Sequence, residues 1–192
     1  MSTLKVDNLL LQDNTKGTGR ILETVGGVCN GQSITTLSGT YSLENVTAVQ
    51  ALTTTHTDVA GSTISYTPPE GTKSVSYECT FVLARTSTDA NPLGHFSFFI
   101  DSDEVVYART NLGSYGHYGA ILAFKWIIDC NASAADANVG SLTSWTTAKT
   151  LKMTVREYGS SNEGQIHQIY YWDGVSNSPQ FHPPVLTITA IG

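Results

Sequence analysis

The residues best suited to bind an ion are Asp101, Asp103 and Glu104, which stand close together in the sequence. Oxygen atoms supplied by alternate residues of one tight loop are the ligands that Ca²⁺ prefers. The segment lacks the glycine and the distant bidentate glutamate of an EF-hand loop. Apolar residues at 98–100 and 105–107 flank it, which favours the exposed turn of a β-hairpin. We therefore predict no metal ion and no other cofactor.

The spacing of the other polar residues does not indicate a catalytic pair or triad. The GxSxG motif of hydrolases is absent. Glu157 with Glu163, or Asp101 with Asp103, would supply the carboxylate pair of a glycoside hydrolase, but spacing alone does not separate catalytic acids from a solvated face. The histidines form no HExxH or HxH motif and are scattered along the chain: His56, His95, His117, His167 and His182. We predict that the protein is not an enzyme.

Two loop segments have the composition of a recognition surface. Residues 113–119 interleave aromatic side chains with glycine and serine, and residues 158–163 combine tyrosine with small polar residues. Tyrosine offers a rigid amphipathic ring for stacking on sugars or for protein contacts, at a small cost in conformational entropy. The alternative for the first segment is an ordinary hairpin tip. The predicted ligand or receptor contacts are Tyr115, His117, Tyr118, Tyr158 and Asn162.

β-strands must position these loops, because apolar residues alternate with polar ones along much of the chain. Every second residue is apolar in 75–83, 96–100, 120–128, 151–155 and 186–190. This period is typical of half-buried strands, and the clusters of Pro, Gly and Asn between them predict turns that mostly close hairpins. A sustained helical period is missing. The pattern predicts an all-β protein, an antiparallel β-sandwich with jelly-roll-like connections.

Composition excludes several classes of partner. Of the 192 residues only 14% are charged, the formal net charge is −6, and Lys and Arg form no cluster. A nucleic-acid partner would need basic groups gathered on one face, so we predict none. The sequence has no run of about 18 to 20 apolar residues, so we predict no membrane insertion. The three cysteines, Cys29, Cys79 and Cys130, show neither zinc-binding nor disulfide-framework spacing, and we expect reduced thiols.

The first part of the chain differs from the rest. Residues 1–45 are polar and rich in glycine, whereas residues 46–192 carry nearly all of the strand patterns. We therefore predict an extended N-terminal attachment and oligomerisation segment at 1–45 and a β-sandwich head domain at 46–192. Burying the segment's aliphatic side chains against other copies or against a larger particle would order it. These predicted docking residues are Leu4, Val6, Leu9, Leu11 and Ile21.

The segments YTPP at 66–69, FIDSDEV at 99–105 and REYGSSNE at 156–163 are the most specific parts of a resemblance to known proteins. They resemble virion fibre and capsid-associated proteins of aquatic viruses, including tail-fibre-like proteins of marine phages and related proteins of large algal viruses. The resemblance covers nearly the whole chain. It brings no catalytic motif and no ligand-binding residues.

The resemblance implies a viral structural protein on the virion, a fibre, tail fibre or capsid decoration made and assembled in the host cytoplasm. In this interpretation the N-terminal segment docks on other virion proteins, the head projects outward, and the protein is a homotrimer. The head then binds a glycan or a protein of the host surface. A purely architectural cementing role is the alternative, and a glycan-binding or glycan-degrading surface protein is a further one.

Overall fold

The computed structural model describes residues 19–86, 91–113, 119–171 and 178–192. Almost all of the regular structure in these residues is β. The strands are β1 (Ile21–Val28), β2 (Ser33–Thr35), β3 (Thr40–Ser42), β4 (Gln50–Ala51), β5 (Thr57–Asp58), β6 (Ile64–Tyr66), β7 (Ser74–Arg85), β8 (Leu93–Ile100), β9 (Asp103–Glu104), β10 (Thr110–Gly113), β11 (Ala120–Asp129), β12 (Lys149–Glu157), β13 (Gly164–Ile166), β14 (Gln168–Tyr171), β15 (Ser178–Phe181) and β16 (Val185–Ile191). A single turn of 3-10 helix spans Val106–Ala108.

Two antiparallel sheets of six strands make up most of the fold. In the first sheet β7 is central: β11 pairs along one edge, and β16 and β13 pair in succession along the other. β1 extends this sheet beyond β16, and β4 extends it beyond β13. In the second sheet β8 and β12 are central, with β9 and β10 beside β8 and with β5 and β6 beside β12. β2–β3 and β14–β15 are separate two-stranded hairpins.

The two large sheets pack face to face through aromatic side chains. Tyr77 of β7 lies against Phe98 of β8, with ring centroids 4.7 Å apart. Phe81 meets Phe96 at 5.3 Å, and Phe124 of β11 lies 5.5 Å from Phe98. Tilted rings at these separations add to the stabilisation that burial of their apolar surface supplies. The arrangement confirms the predicted antiparallel β-sandwich.

The predicted strands are confirmed, and their apolar residues face the core. The alternating residues of 75–83 are fully buried, as are those of 151–155 and 186–190. The turn predicted at Thr67–Gly71 is closed by a hydrogen bond from the Thr72 N–H to the Pro69 carbonyl, and Gly71 takes a φ of 87° that glycine adopts without strain.

The prediction that most connections are hairpins is wrong for the central strands. β7 lies in the first sheet and β8 in the second, and the chain returns to the first sheet at β11. It then crosses to the second sheet at β12 and back at β13. Alternation along one strand reports which face is buried, and it carries no information on which sheet the strand joins. Consecutive strands here therefore often face each other across the core.

The structure also corrects the domain boundary predicted at residue 45. β1 pairs with β16 over residues 21–28, and Val25 and Cys29 are fully buried in the common core. Tyr41 and Leu43 belong to the same core. The sequence of this region does not indicate a core contribution, because its buried apolar residues are few and widely spaced. Within the segment predicted for attachment, residues 19–45 belong to the sandwich, and residues 1–18 lie outside the described residues.

Candidate ligand-binding cleft

A row of three polar side chains crosses the outer face of the second sheet. Antiparallel register places His95 of β8 opposite Arg156 of β12 on one side and opposite Asn111 of β10 on the other. The neighbouring residues Phe96 and Val155 are buried in the core. Because side chains alternate between the two faces of a strand, His95 and Arg156 are presented on the outside.

A cleft of about 350 Å³ opens along this row, and we call it the β8–β12 cleft. Its lining residues are Leu93, His95, Asn111, Arg156 and Tyr158. The Tyr158 side chain directly follows β12 and is 73% exposed, and its backbone N–H is anchored on the Leu93 carbonyl at 2.9 Å. An exposed ring on an anchored backbone suits stacking against a flat ligand face.

Hydrogen bonding orients the central imidazole of the cleft. His95 Nδ1 lies 2.9 Å from Asn111 Oδ1, which can only accept, so Nδ1 carries the proton. In the neutral ring Nε2 is then left as an acceptor. The Arg156 guanidinium supplies only donors, in a planar fork that matches a carboxylate. The cleft thus combines donors, one acceptor and an aromatic ring.

A second histidine adjoins the row. The ring of His56 meets that of His95 edge to face at 5.4 Å, and its Nδ1 lies 3.1 Å from the Thr154 hydroxyl. Partial burial lowers the pKa of His56, and the nearby His95 and Arg156 lower it further. This imidazole is therefore biased towards its neutral form near pH 7, whereas the Arg156 guanidinium stays charged.

A bidentate ion pair lies further along the same sheet. Arg109 donates from Nε to Glu104 Oε1 at 2.8 Å and from its terminal nitrogen to Oε2 at 2.5 Å. The Arg109 hydrogen bond, which outweighs the opposing effect of burial, lowers the pKa of Glu104 to about 2. Glu104 is thus ionised and paired with Arg109. The acidic segment that contains it forms the predicted hairpin turn, between β8 and β9.

The predicted contact residues are only partly brought together. Tyr158 lines the β8–β12 cleft, whereas Asn162 has a structural role. Its side-chain amide donates to the Asn91 carbonyl of the loop before β8 at 2.8 Å, and its N–H donates to the Gly159 carbonyl of its own loop. Tyr115, His117 and Tyr118 lie outside the described residues, as do Leu4, Val6, Leu9 and Leu11. The remaining predicted docking residue, Ile21, is 67% exposed at the start of β1.

Three of the four carboxylates considered for glycoside hydrolysis, those of Glu157, Glu163 and Asp101, have separate partners. Glu157 is buried and accepts a 3.4 Å hydrogen bond from the Gly164 N–H, whereas Glu163 is exposed and accepts from the Thr86 hydroxyl. Asp101 accepts from Lys149 at 2.8 Å and from the Thr150 N–H. These bonds explain the side chains as structural links of their turns.

The cysteines are buried free thiols, and burial raises the pKa of Cys29 to about 11 and that of Cys130 to about 12. Among the residues that the structure describes, no three His, Cys, Asp or Glu side chains are grouped closely enough to hold a metal ion. The same residues contain no helix long and apolar enough to cross a membrane.

Of the five lining residues of the cleft, sequence reasoning identified Tyr158 and missed Leu93 and the three polar residues of the row, His95, Asn111 and Arg156. Their outward positions were readable from the strand period, since His95 precedes the buried Phe96 and Arg156 follows the buried Val155. What the period could not supply was the register that aligns β10, β8 and β12.

No protein-family model matches the chain, and no curated protein matches it. Solved structures that are similar to the chain include chains of infectious bursal disease virus particles. A chain of the Gx strain structure overlaps all of this chain and 46% of its own length, at 9% identity and a TM-score of 0.39. A chain of the T13 viral particle overlaps 85% of this chain and 41% of its own, at 11% identity and a TM-score of 0.31.

A chain of the VP2 subviral particle of the same virus overlaps 85% of this chain at 12% identity and a TM-score of 0.28. The chain thus spans less than half the length of each of these solved chains. Overlaps with TM-scores below 0.5 identify no family, and they carry no argument about function.

Proposed function

We infer that the chain is a non-enzymatic viral structural protein displayed on the virion, whose β-sandwich head binds a polar ligand of the host surface in the β8–β12 cleft. The virion role is supported by the resemblance carried by residues 66–69, 99–105 and 156–163. The binding role is supported by one observation, the row of Asn111, His95 and Arg156 beside the exposed Tyr158 ring.

The ligand class follows from the chemistry of the cleft. Arg156 favours an anion, and its planar fork favours a carboxylate over a spherical ion. Tyr158 favours a ring with an apolar face, and Asn111 and His95 can exchange hydrogen bonds with hydroxyl groups. A carboxylated sugar at the end of a surface glycan combines all of these groups.

The experiment is binding of the full-length protein to an array of neutral and carboxylated oligosaccharides. Arg156→Gln and Tyr158→Ala should each weaken binding to the carboxylated members. Lys152→Gln is the matched control, because Lys152 lies on the same strand and pairs with Asp58 outside the cleft. Equal binding by wild type and both cleft variants, or no binding by the wild type, would refute the ligand-binding role.

Docking through the N-terminal segment and threefold assembly complete the proposal. Leu4→Asp with Leu9→Asp should lower the oligomer mass measured by light scattering and release the protein from particles, because aspartate opposes burial of the segment. An unchanged mass and unchanged particle binding would exclude docking through these leucines.

A purely architectural role is the second candidate. It is favoured by a different observation, the two exposed isoleucines of strand β11, Ile121 and Ile127. A cementing protein should retain its place on the particle in the Tyr158→Ala variant, whereas a receptor-binding head should lose host attachment and keep particle binding.

A further inference from the structure

Strand β11 pairs with β7 along one edge, and no other strand among the described residues pairs with its second edge. Its Cys130 neighbour donates a backbone hydrogen bond to the Lys73 carbonyl on the β7 side, whereas the Asp129 carbonyl accepts from the Leu142 N–H on the opposite side. In an antiparallel ladder the backbone groups of successive residues point to alternate edges. Even-numbered residues of β11 therefore bond β7, and odd-numbered residues point away from it.

Along this edge four residues direct their backbone N–H and C=O groups away from β7. At one end Ser141 and Leu142 cover Asp129. Over the rest, no hydrogen bond from the part of the chain that the structure describes reaches the outward N–H and C=O groups. The residues that carry these groups are Ile121, Ala123, Lys125 and Ile127.

The side chains of this stretch do not protect it. Ile121 is 62% exposed and Ile127 is 49% exposed. Lys125 is the single charged residue from 120 to 128, and it reaches Glu78 of the adjacent strand at 3.8 Å. Natural edge strands are usually short or protected by charges, prolines or bulges, so a long straight edge with exposed isoleucines is a template for another strand.

We propose that this edge pairs antiparallel with the same edge of a second copy of the chain, with Ile121 opposite Ile127 of the other copy and Ala123 opposite its Lys125. The register brings the four outward residues of each copy into hydrogen-bonded pairs. The inference does not depend on the virion role or on the β8–β12 cleft.

Three features favour a second copy over an unrelated partner. The stretch is self-complementary: the twofold operation matches isoleucine with isoleucine twice and keeps Lys125 from facing itself. The net charge of −6 does not oppose the contact locally, since no acidic residue lies between 120 and 128. A groove of about 340 Å³ also adjoins the edge, lined by Tyr107, Leu112 and Trp126 among others, and the added sheet would cover it.

Disulfide trapping tests both the contact and its register. Hydrogen-bonded antiparallel partners have Cα atoms about 5.5 Å apart, within disulfide range. Diagonal neighbours lie about 7–8 Å apart, at or beyond its limit. Full-length Ala123→Cys mixed with full-length Lys125→Cys should therefore form a covalent heterodimer under mild oxidation, and neither variant should cross-link alone. Lys125→Cys mixed with Ser160→Cys is the control for random collision.

A charge exchange provides a second, reversible measurement. Ile121→Lys with Ile127→Lys places lysine opposite lysine and should lower the oligomer mass in sedimentation at micromolar concentration. Ile121→Glu with Ile127→Lys places opposite charges together and should restore it in low salt. Both substituted positions carry exposed side chains, so circular dichroism should show unchanged folding.

The contact would be overturned if Ala123→Cys and Lys125→Cys fail to cross-link when mixed. It would also be overturned if the oligomer mass of the variant with Ile121→Lys and Ile127→Lys is unchanged. Cross-linking of Ala123→Cys alone, as efficient as that of the mixture, would overturn the register. Heterodimer formation together with mass loss and recovery would support both.

Discussion

The Tyr66 hydroxyl donates a 2.7 Å hydrogen bond to Oε1 of Glu23, and this bond joins strand β6 to strand β1 inside the sandwich. Ser38 donates to the same carboxylate from its N–H and its hydroxyl. Burial alone would raise the pKa of Glu23, but the hydrogen bonds from Ser38 and Tyr66 outweigh it and hold that pKa below its ordinary value. An ionised carboxylate thus ties three separate segments together.

Tyr66→Phe should lower the free energy of unfolding by about 1.5–3 kcal/mol at pH 7, because it removes a hydrogen bond to a charged acceptor. Urea denaturation measures the change, with the exposed Tyr107→Phe as control. Since the pKa of Glu23 is depressed, its contribution is complete above the unfolded carboxyl pKa and is lost as the pH falls through the folded value. Equal stability of the two variants would show that the bond contributes nothing.

Acid should destabilise the fold through His167. This side chain is fully buried at a φ of 68°, and burial lowers its pKa from 6.5 to about 4. Between the unfolded and folded pKa values, His167 is therefore protonated in the unfolded chain and neutral in the folded chain. Stability should be constant above about pH 6.5 and should fall by about 3 kcal/mol as the pH approaches 4.

His167→Asn tests this assignment, because asparagine tolerates a positive φ and does not titrate. The variant should be less stable than wild type at pH 7.5, where a smaller side chain leaves a cavity. Its loss of stability between pH 6.5 and 4, measured by urea unfolding, should be clearly smaller than that of wild type. A wild-type slope in the variant would assign acid sensitivity to other groups.

Two truncations separate attachment from folding. Removal of residues 1–18 should leave a cooperative thermal transition, because the described contacts of the sandwich begin at Gly19. Removal of residues 1–45 deletes β1 and the buried Val25, Tyr41 and Leu43, and it should abolish cooperative unfolding in circular dichroism. A stable, cooperative head after the longer deletion would restore the boundary predicted from the sequence.

In the β8–β12 cleft, Arg156→Lys distinguishes planar recognition from simple charge attraction. Arg156→Gln should weaken binding of a carboxylated oligosaccharide by about 10- to 100-fold, the equivalent of one charge-assisted hydrogen bond. Lysine keeps the charge but not the fork, so Arg156→Lys should recover only part of this affinity in calorimetry. Full recovery of the affinity in Arg156→Lys would mean that the cleft attracts anions by charge alone and does not recognise the planar carboxylate.

The strands could be predicted because their evidence is local. From Val75 to Thr80 each apolar residue is followed by a more polar one, and this alternation identifies the buried face without knowledge of any neighbour. The cleft could not be predicted in the same way. His95 and Arg156 are far apart in the chain, and only the pairing of β8 with β12 makes them neighbours.

The first 45 residues are a second region in which local sequence did not reveal the tertiary contacts. Their low apolar content suggested a segment without a core, yet Val25 and Leu43 complete the core of the head. A few apolar residues suffice when other strands supply the rest of the packing surface.

The sequence by itself determined the all-β class, the faces of the main strands and several of the turns, because side-chain alternation and turn chemistry act over a few residues. Only the tertiary structure decided which strands pair, that β1 closes the first sheet, and that Asn111, His95 and Arg156 form one row. Register and sheet membership depend on packing between segments that are distant in the chain, and a short stretch of sequence does not determine that packing.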